Sequence, residues 1–154
     1  MSREVKFRVW DLESQRYGEV RHINYNFEGE IDSVVCWFSV HEREVYLPGG
    51  TFIIEQDTGL KDKNGKKIHE GDIVGFYDYY LNEETDEDEP GALEPWGHVI
   101  YEDTKARFGV WGDSPFADEE KHFFGLTGVL EVIGNIHENQ DLLCDTNVAN
   151  KEEE

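Results

Sequence analysis

The chain has 154 residues, of which 38% are hydrophobic and 32% are charged, a composition typical of a globular domain and not of a disordered chain. Its 14 Lys and Arg residues oppose 35 Asp and Glu residues, and the resulting formal net charge of −21 argues against binding to phosphate backbones or anionic membranes. No apolar run approaches the roughly 20 residues of a membrane helix, and no apolar signal segment follows Met1, so we expect a cytoplasmic protein that does not bind membranes.

Alternation of apolar and polar residues dominates the chain and predicts β-strands. The first two examples are Val5–Val9 and His22–Phe27, and the second reads as a half-buried strand. Further strands are predicted over 32–40, 44–47, 51–56, from Ile73 onward, 98–102, 107–111 and 129–137. Short helical turns are expected only near 115–124 and 138–144. Many short strands with frequent turns indicate an all-β protein of barrel or sandwich type.

Two turns separate the central strands. Asp62-Lys63-Asn64-Gly65 contains an Asn-Gly pair, which favours a tight turn because both residues tolerate positive φ. Aligned to a calcium loop, the same residues would put Leu60 and Gly71 at positions that need oxygen ligands, so a turn is the better interpretation. A second turn, Glu70-Gly71-Asp72, leads into the strand that begins at Ile73.

A strongly acidic segment covers residues 82–96. Six of the seven residues 83–89 are acidic, and mutual repulsion of their charges predicts an exposed insertion. Residues 145–154 read as a flexible acidic tail. The candidate partner-binding residues are the six acids of the run, namely Glu83, Glu84, Asp86, Glu87, Asp88 and Glu89.

Residues with catalytic or metal-binding chemistry are dispersed. The six histidines, at positions 22, 41, 69, 98, 122 and 137, form no metal-binding spacing, and His69-Glu70 is the pair of greatest interest. Pro115 follows Ser114 and supplies no N–H for an oxyanion hole. Cys36 lies in an apolar run and is expected to be a free, buried thiol. The sequence therefore predicts no catalytic residue, metal ligand or cofactor.

Three blocks of the sequence resemble one family. They are Lys6-Phe-Arg-Val-Trp-Asp11, the distinctive middle block from Thr58 to Val74, and Glu131-Val-Ile-Gly-Asn-Ile-His-Glu-Asn-Gln-Asp-Leu-Leu143. In order and spacing they are similar to the YopX family of phage and prophage proteins of Gram-positive bacteria. The resemblance implies an SH3-type small barrel and a phage or prophage setting, and it brings no established activity and no site residues.

Together these observations predict a single compact β domain over 1–144, with little helix. An SH3-like barrel would lie largely within 59–140, and additional N-terminal strands would complete it. The expected function is that of a non-enzymatic accessory protein that binds a basic host or phage protein and does not bind nucleic acid directly. Two alternatives stay open: an acidic mimic of DNA that inhibits a host DNA-binding protein, and a small hydrolase or metal-dependent enzyme with a site built from dispersed His, Asp and Glu. The sequence does not indicate the oligomeric state.

Overall fold

The computed structural model describes residues 5–82, 87–104, 106–111 and 130–142, and for 76–82 and 87–96 it describes the backbone alone. These residues form ten β-strands, so the all-β prediction is confirmed. In chain order the strands are β1 (Phe7–Asp11), β2 (Arg16–Tyr25), β3 (Ile31–Phe38), β4 (Arg43–Pro48), β5 (Phe52–Lys61), β6 (Lys67–His69), β7 (Asp72–Asn82), β8 (Glu87–Glu102), β9 (Arg107–Trp111) and β10 (Leu130–Asn135).

Hydrogen bonding arranges these strands in two sheets. Six strands follow the order β4-β3-β2-β1-β5-β6, and four follow the order β10-β7-β8-β9. The chain divides into two compact units, Met1–Asp57 and Thr58–Glu154, and β5 crosses the division. Each unit has its own hydrophobic core.

The SH3-type barrel expected over 59–140 is not closed among the strands that the structure describes. Closure requires the first and last strands of a sheet to pair with each other. Here β10 and β9 end the order of the four-stranded sheet, and β6 belongs to the six-stranded one. The described strands therefore form two open antiparallel sheets. The extent of a single domain over 1–144 stays a prediction, and the tail 145–154 lies outside the described residues.

The core of the first unit follows the period-2 alternation of its strands. Residues 34, 36 and 38 of β3 are all buried, because alternate residues of a strand point to the same face. The buried cluster comprises Val9, Val34, Cys36, Phe38 and Leu47. Cys36 is a free thiol with no exposed surface, as predicted, and burial, with a smaller contribution from Asp11, raises its pKa to about 11.

The core of the second unit takes one residue from each strand of the four-stranded sheet and one from β6. Its members are Ile68, Val74, Val99, Phe108 and Leu130. Gly71, at φ 80°, connects the backbones beside this core. Its N–H donates to the Val99 carbonyl at 2.8 Å, and its carbonyl accepts from the Ile136 N–H at 2.9 Å.

Most predicted strands correspond to observed ones, but two segments differ. The first difference is at Phe27, which was expected in a half-buried strand. β2 ends at Tyr25 and Phe27 lies fully exposed in the following turn, because the side chain of Asn26 accepts backbone N–H groups there.

The second difference concerns the acidic segment 82–96, whose residues 87–96 were expected in an exposed loop. The structure instead places them in β8, hydrogen-bonded to β7. The run Phe76-Tyr77-Asp78-Tyr79-Tyr80 gives β7 a high strand propensity, and a neighbouring strand satisfies the backbone groups that β7 would otherwise leave unpaired.

The two helical turns expected from the sequence have different outcomes. The segment near 115–124 lies outside the described residues. Near 138–144, Asn139 N–H donates to the Asn135 carbonyl at 2.9 Å and Leu142 N–H donates to the Asn139 carbonyl at 3.1 Å, which gives local turns. Over the part of the chain that the structure describes, no helix has the length and apolar character needed to cross a membrane.

The contribution of the first unit's core to stability can be tested by comparing a buried valine with an exposed one. Val34→Ala removes buried carbon atoms from a residue with 0% exposure, and we expect a loss of roughly 2 kcal/mol in the free energy of unfolding. Val40→Ala, at a residue 68% exposed, should change it by less than about 0.5 kcal/mol. Urea titration of both variants provides the measurement, and equal losses would contradict the assignment of the core.

Candidate functional site

Three of the six predicted partner-binding acids lie at the far end of a hairpin. β7 and β8 pair from Ile73 opposite His98 to Asn82 opposite Glu87. With a rise of about 3.3 Å per residue, the paired length is roughly 30 Å. Glu87, Asp88 and Glu89 occupy the first three positions of β8, and their backbones lie opposite Asn82, Leu81 and Tyr80 respectively. Glu83, Glu84 and Asp86 fall outside the described residues.

The predicted turn at 62–65 is present, and the side chain of Asp62 organises it. Asp62 Oδ1 accepts the N–H groups of Asn64 at 2.8 Å and Lys66 at 2.9 Å. Gly65 N–H donates to the Asp62 carbonyl at 3.0 Å. Gly65 has a φ of 81°, whereas Asn64 is not among the residues with positive φ. The prediction of a tight turn is therefore confirmed, with the left-handed conformation confined to the glycine.

Asp62 also connects this turn to a distant strand. Its second oxygen, Oδ2, accepts the N–H of Val132 in β10 at 3.0 Å, across a sequence separation of 70 residues. The neighbouring Lys63 N–H donates to the Leu130 carbonyl at 3.0 Å, and Lys63 Nζ lies 3.4 Å from Glu131 Oε2. Both oxygens of one carboxylate thus hold the turn and the closing strand together.

The environment of Asp62 favours its ionised form. The residue is only 6% exposed, and burial by itself would raise the pKa of its carboxyl group. The three backbone N–H donors and the charge of Lys66 outweigh this effect, so the pKa is lowered from 3.8. The Asp62 carboxylate therefore has a structural role, because its two oxygens accept hydrogen bonds from three backbone N–H groups.

The other polar residues of the middle block also bond to the backbone. The Thr58 hydroxyl donates to the Ile68 carbonyl at 2.7 Å and accepts the Leu60 N–H at 3.2 Å. Asp72, only 3% exposed, accepts the backbone N–H of His69 at 2.8 Å. The most distinctive stretch of the sequence is therefore accounted for by its own backbone geometry.

The pair His69-Glu70, which the sequence singled out, is placed beside Asp72. His69 Nδ1 lies 3.8 Å from the same Asp72 oxygen that accepts the His69 backbone N–H. Within the described ranges, no three His, Cys, Asp or Glu side chains are grouped so that they could hold a metal ion. His98, in β8, has a pKa lowered from 6.5 by burial.

A polar cluster that the sequence analysis did not anticipate lies in the first unit. Glu55, 3% exposed, accepts hydrogen bonds on Oε1 from Arg8 Nε and from the Tyr17 hydroxyl, both at 2.9 Å. The Arg8 guanidinium lies 4.1 Å from the centre of the Tyr17 ring, and Trp10 packs against that ring edge-on. Arg8 and Glu55 are directly opposite each other on β1 and β5. Only this cross-strand register brings them together, since 47 residues separate them in sequence.

The fold and these contacts define a class of protein: an all-β protein of two open sheets, in which the turn at 62–66 is tied to the last described strand. The model of the YopX family, described as YopX protein, matches residues 6–144. That match covers most of the chain, so the chain belongs to the YopX family.

A solved structure supports the same relationship. The chain is similar to the crystal structure of protein EF1440 from Enterococcus faecalis, with a TM-score of 0.57 and 26% sequence identity. The alignment covers 92% of this chain and 99% of that chain. No curated protein matches the sequence significantly.

The anchoring role of Asp62 leads to a prediction about stability. Asp62→Ala leaves the N–H groups of Asn64, Lys66 and Val132 without their acceptor, and we expect a loss of roughly 2–4 kcal/mol in the free energy of unfolding. Asp103→Ala, at an exposed position of the same unit, should cost less than about 0.5 kcal/mol. Urea titration at neutral pH measures both changes.

The pH dependence of the same variant provides an internal check. Because the pKa of Asp62 is lower in the folded protein, its stabilisation is fully present above the unfolded pKa near 3.8 and is lost as pH falls through the folded pKa. The difference in the free energy of unfolding between wild type and Asp62→Ala should therefore shrink as the pH falls from about 3.8 through the folded pKa. A difference that stays constant down to the lowest pH at which the protein folds would contradict the assignment.

Proposed function

We propose that this YopX-family protein is a non-enzymatic interaction module that binds a basic protein surface through the acidic end of its β7–β8 hairpin. The observation that carries the proposal is the placement of the acidic run: it begins where the paired part of a long hairpin ends and continues into the first residues of β8. A hairpin fixes the position of the backbone at Glu87, Asp88 and Glu89, whereas a loose loop would not.

Electrostatics supports a basic partner. The run of residues 83–89 carries six of the 35 acidic residues, and the chain as a whole has a formal charge of −21. Such a field speeds the association of a cationic surface and disfavours acidic competitors. It also opposes direct binding to nucleic acid, whose affinity for proteins depends on Lys and Arg contacts with phosphates.

The proposal extends to the biological setting. The resemblance to phage and prophage proteins suggests a partner encoded by the host bacterium or by the phage itself. A basic protein that handles nucleic acid fits this setting because such proteins carry the cationic surfaces that an acidic hairpin would bind.

Neutralising the acidic run tests the proposal. The variant replaces each Glu by Gln and each Asp by Asn at positions 83, 84, 86, 87, 88 and 89. The control applies the same changes to six exposed acids elsewhere, Glu13, Glu19, Glu42, Glu44, Asp103 and Asp141, so that net charge is matched. At about 150 mM salt, a bacterial lysate should yield a basic protein bound to the wild type and the control but not to the first variant.

The salt dependence of partner binding is the second measurement in that experiment. Raising the salt to about 0.5 M should release the partner, since screening shortens the range of the interaction to a few ångströms. A partner that stays bound both at high salt and after neutralisation of residues 83–89 would refute the electrostatic mechanism.

A second candidate function, mimicry of DNA, is favoured by the strand conformation of Glu87-Asp88-Glu89. An extended strand rises about 3.3 Å per residue, close to the roughly 3.4 Å of helix axis per phosphate of one DNA strand. Measured along its axis, the backbone of Glu87-Asp88-Glu89 therefore advances by about one residue per phosphate. In this case the partner would be a DNA-binding protein whose DNA site the chain occupies.

Competition with duplex DNA distinguishes the two candidates. We expect the protein itself to show no binding to duplex or single-stranded DNA at about 150 mM salt, because its field is repulsive. Under mimicry, duplex DNA displaces the protein from its partner, whereas an interaction module that binds a cationic surface outside the DNA site leaves the partner able to bind both. Tight direct binding of DNA without divalent metal would contradict both candidates.

A further inference from the structure

The end of the β2–β3 hairpin displays three large apolar side chains to solvent. Tyr25 is 61% exposed, Ile31 is 39% exposed, and Phe27 is as exposed as in an extended chain. Tyr25 and Ile31 lie directly opposite each other on the two strands, and Phe27 lies in the turn between them. Single exposed apolar residues are common on protein surfaces, but three within seven residues at one hairpin end form a local apolar group.

Hydrogen bonds hold this turn in one conformation. Asn26 Oδ1 accepts the N–H groups of Glu28 at 2.9 Å and Glu30 at 3.0 Å. The Asn26 N–H donates to the Glu30 carbonyl at 2.9 Å, and Gly29, at φ 82°, donates its N–H to the Asn26 carbonyl at 3.1 Å. Phe27 is therefore presented from a fixed backbone, so little conformational entropy of the turn is lost when its ring is buried by a partner.

Three carboxylates lie next to the apolar group in sequence. Glu28, Glu30 and Asp32 are exposed, and the sequence from residue 22 to residue 42 contains no Lys or Arg. A second copy of this chain would bring a like charge of −21, and an anionic membrane would be repelled in the same way. The surface that complements this hairpin end is an apolar pocket bordered by Lys and Arg.

We infer that the hairpin end formed by residues 25–32 is a protein-docking surface, in which Phe27 enters an apolar pocket of a partner and the neighbouring carboxylates pair with basic residues at the rim of that pocket. A central aromatic anchor within a polar rim is the usual arrangement of the residues that contribute most to binding. The surface lies in the unit 1–57, apart in sequence from the acidic run 83–89, and the inference does not rest on the proposed function of that run.

Site-specific photo-crosslinking tests this inference with the full-length protein. Phe27→p-benzoylphenylalanine places an aromatic photo-reactive group at the anchor position, and Val40→p-benzoylphenylalanine places it at another exposed position, beyond the other end of β3. Both proteins are irradiated in an Enterococcus faecalis lysate, the organism of the structural relative. We expect a protein adduct at position 27 at least about fivefold stronger than at position 40, with the cross-linked residue in an apolar segment flanked by Lys or Arg.

Charge reversal shows whether the recognition is specific. Glu28→Lys, combined with the photo-reactive group at position 27, should lower the adduct yield by roughly fivefold or more, whereas Glu13→Lys, at an exposed position beyond the other end of β2, should not. Each variant should keep the melting temperature of the wild type within about 2 °C because the changed side chains are exposed. Neutralisation of residues 83–89 should leave the adduct at position 27 in place, which separates this inference from the proposed function.

Several outcomes would overturn the inference. They are equal yields at positions 27 and 40, an adduct with a second copy of the chain or with lipid, and an adduct that is insensitive to Glu28→Lys. Phe27→Ser should abolish co-purification of the protein identified by the adduct. Retention of that protein by Phe27→Ser would also overturn the inference.

Discussion

The carboxylate of Asp62 is the constraint on which the second unit depends. One oxygen accepts two N–H groups of its own turn, and the other accepts the N–H of Val132, 70 residues further along the chain. A turn is ordinarily a local structure, but here its stability and the position of β10 depend on the same ionised group. Breaking any of these part-buried bonds leaves an N–H without the acceptor that the fold gives it, which destabilises the turn or its connection to β10. Three polar residues of the middle block, Thr58, Asp62 and Asp72, thus have a structural role because each accepts a backbone N–H.

The same type of hydrogen bond, from a backbone N–H to the side chain of a nearby Asp or Asn, recurs along the chain. Asp11, Asn26, Asp62 and Asn135 each accept, on a side-chain oxygen, the N–H of the residue two positions later. Each ends a strand or starts a turn, because an Asp or Asn side chain can replace the backbone carbonyl of a neighbouring strand as acceptor. The ten strands that the structure describes are joined by many chain reversals, and these four residues form turns without long loops. The acidic and amide residues of this protein therefore contribute to its architecture as well as to its surface charge.

The two surfaces proposed to bind partners differ in chemistry. The acidic run at the end of the β7–β8 hairpin offers charge, which affects the rate and salt dependence of association more than its final strength. The end of the β2–β3 hairpin offers an exposed aromatic side chain on a turn with fixed hydrogen bonds, which supplies apolar area that can be buried.

The sequence by itself determined the fold class, most strand positions, the turn at 62–65 and family membership. These depend on local signals: alternation along a strand, the Asp-Lys-Asn-Gly turn, and the order and spacing of blocks that resemble a family. It did not determine that Phe27 is exposed, because alternation continues through Tyr25 and Phe27 while the Asn26 side chain stops the pairing between them. Nor did it place residues 87–96 in a strand, since mutual repulsion of the acids suggested a loop and only pairing with β7 satisfies that backbone. The Arg8–Glu55–Tyr17 cluster and the bond from Asp62 to Val132 were also decided by tertiary structure, because strand register joins residues whose separation in sequence carries no information about their distance in space.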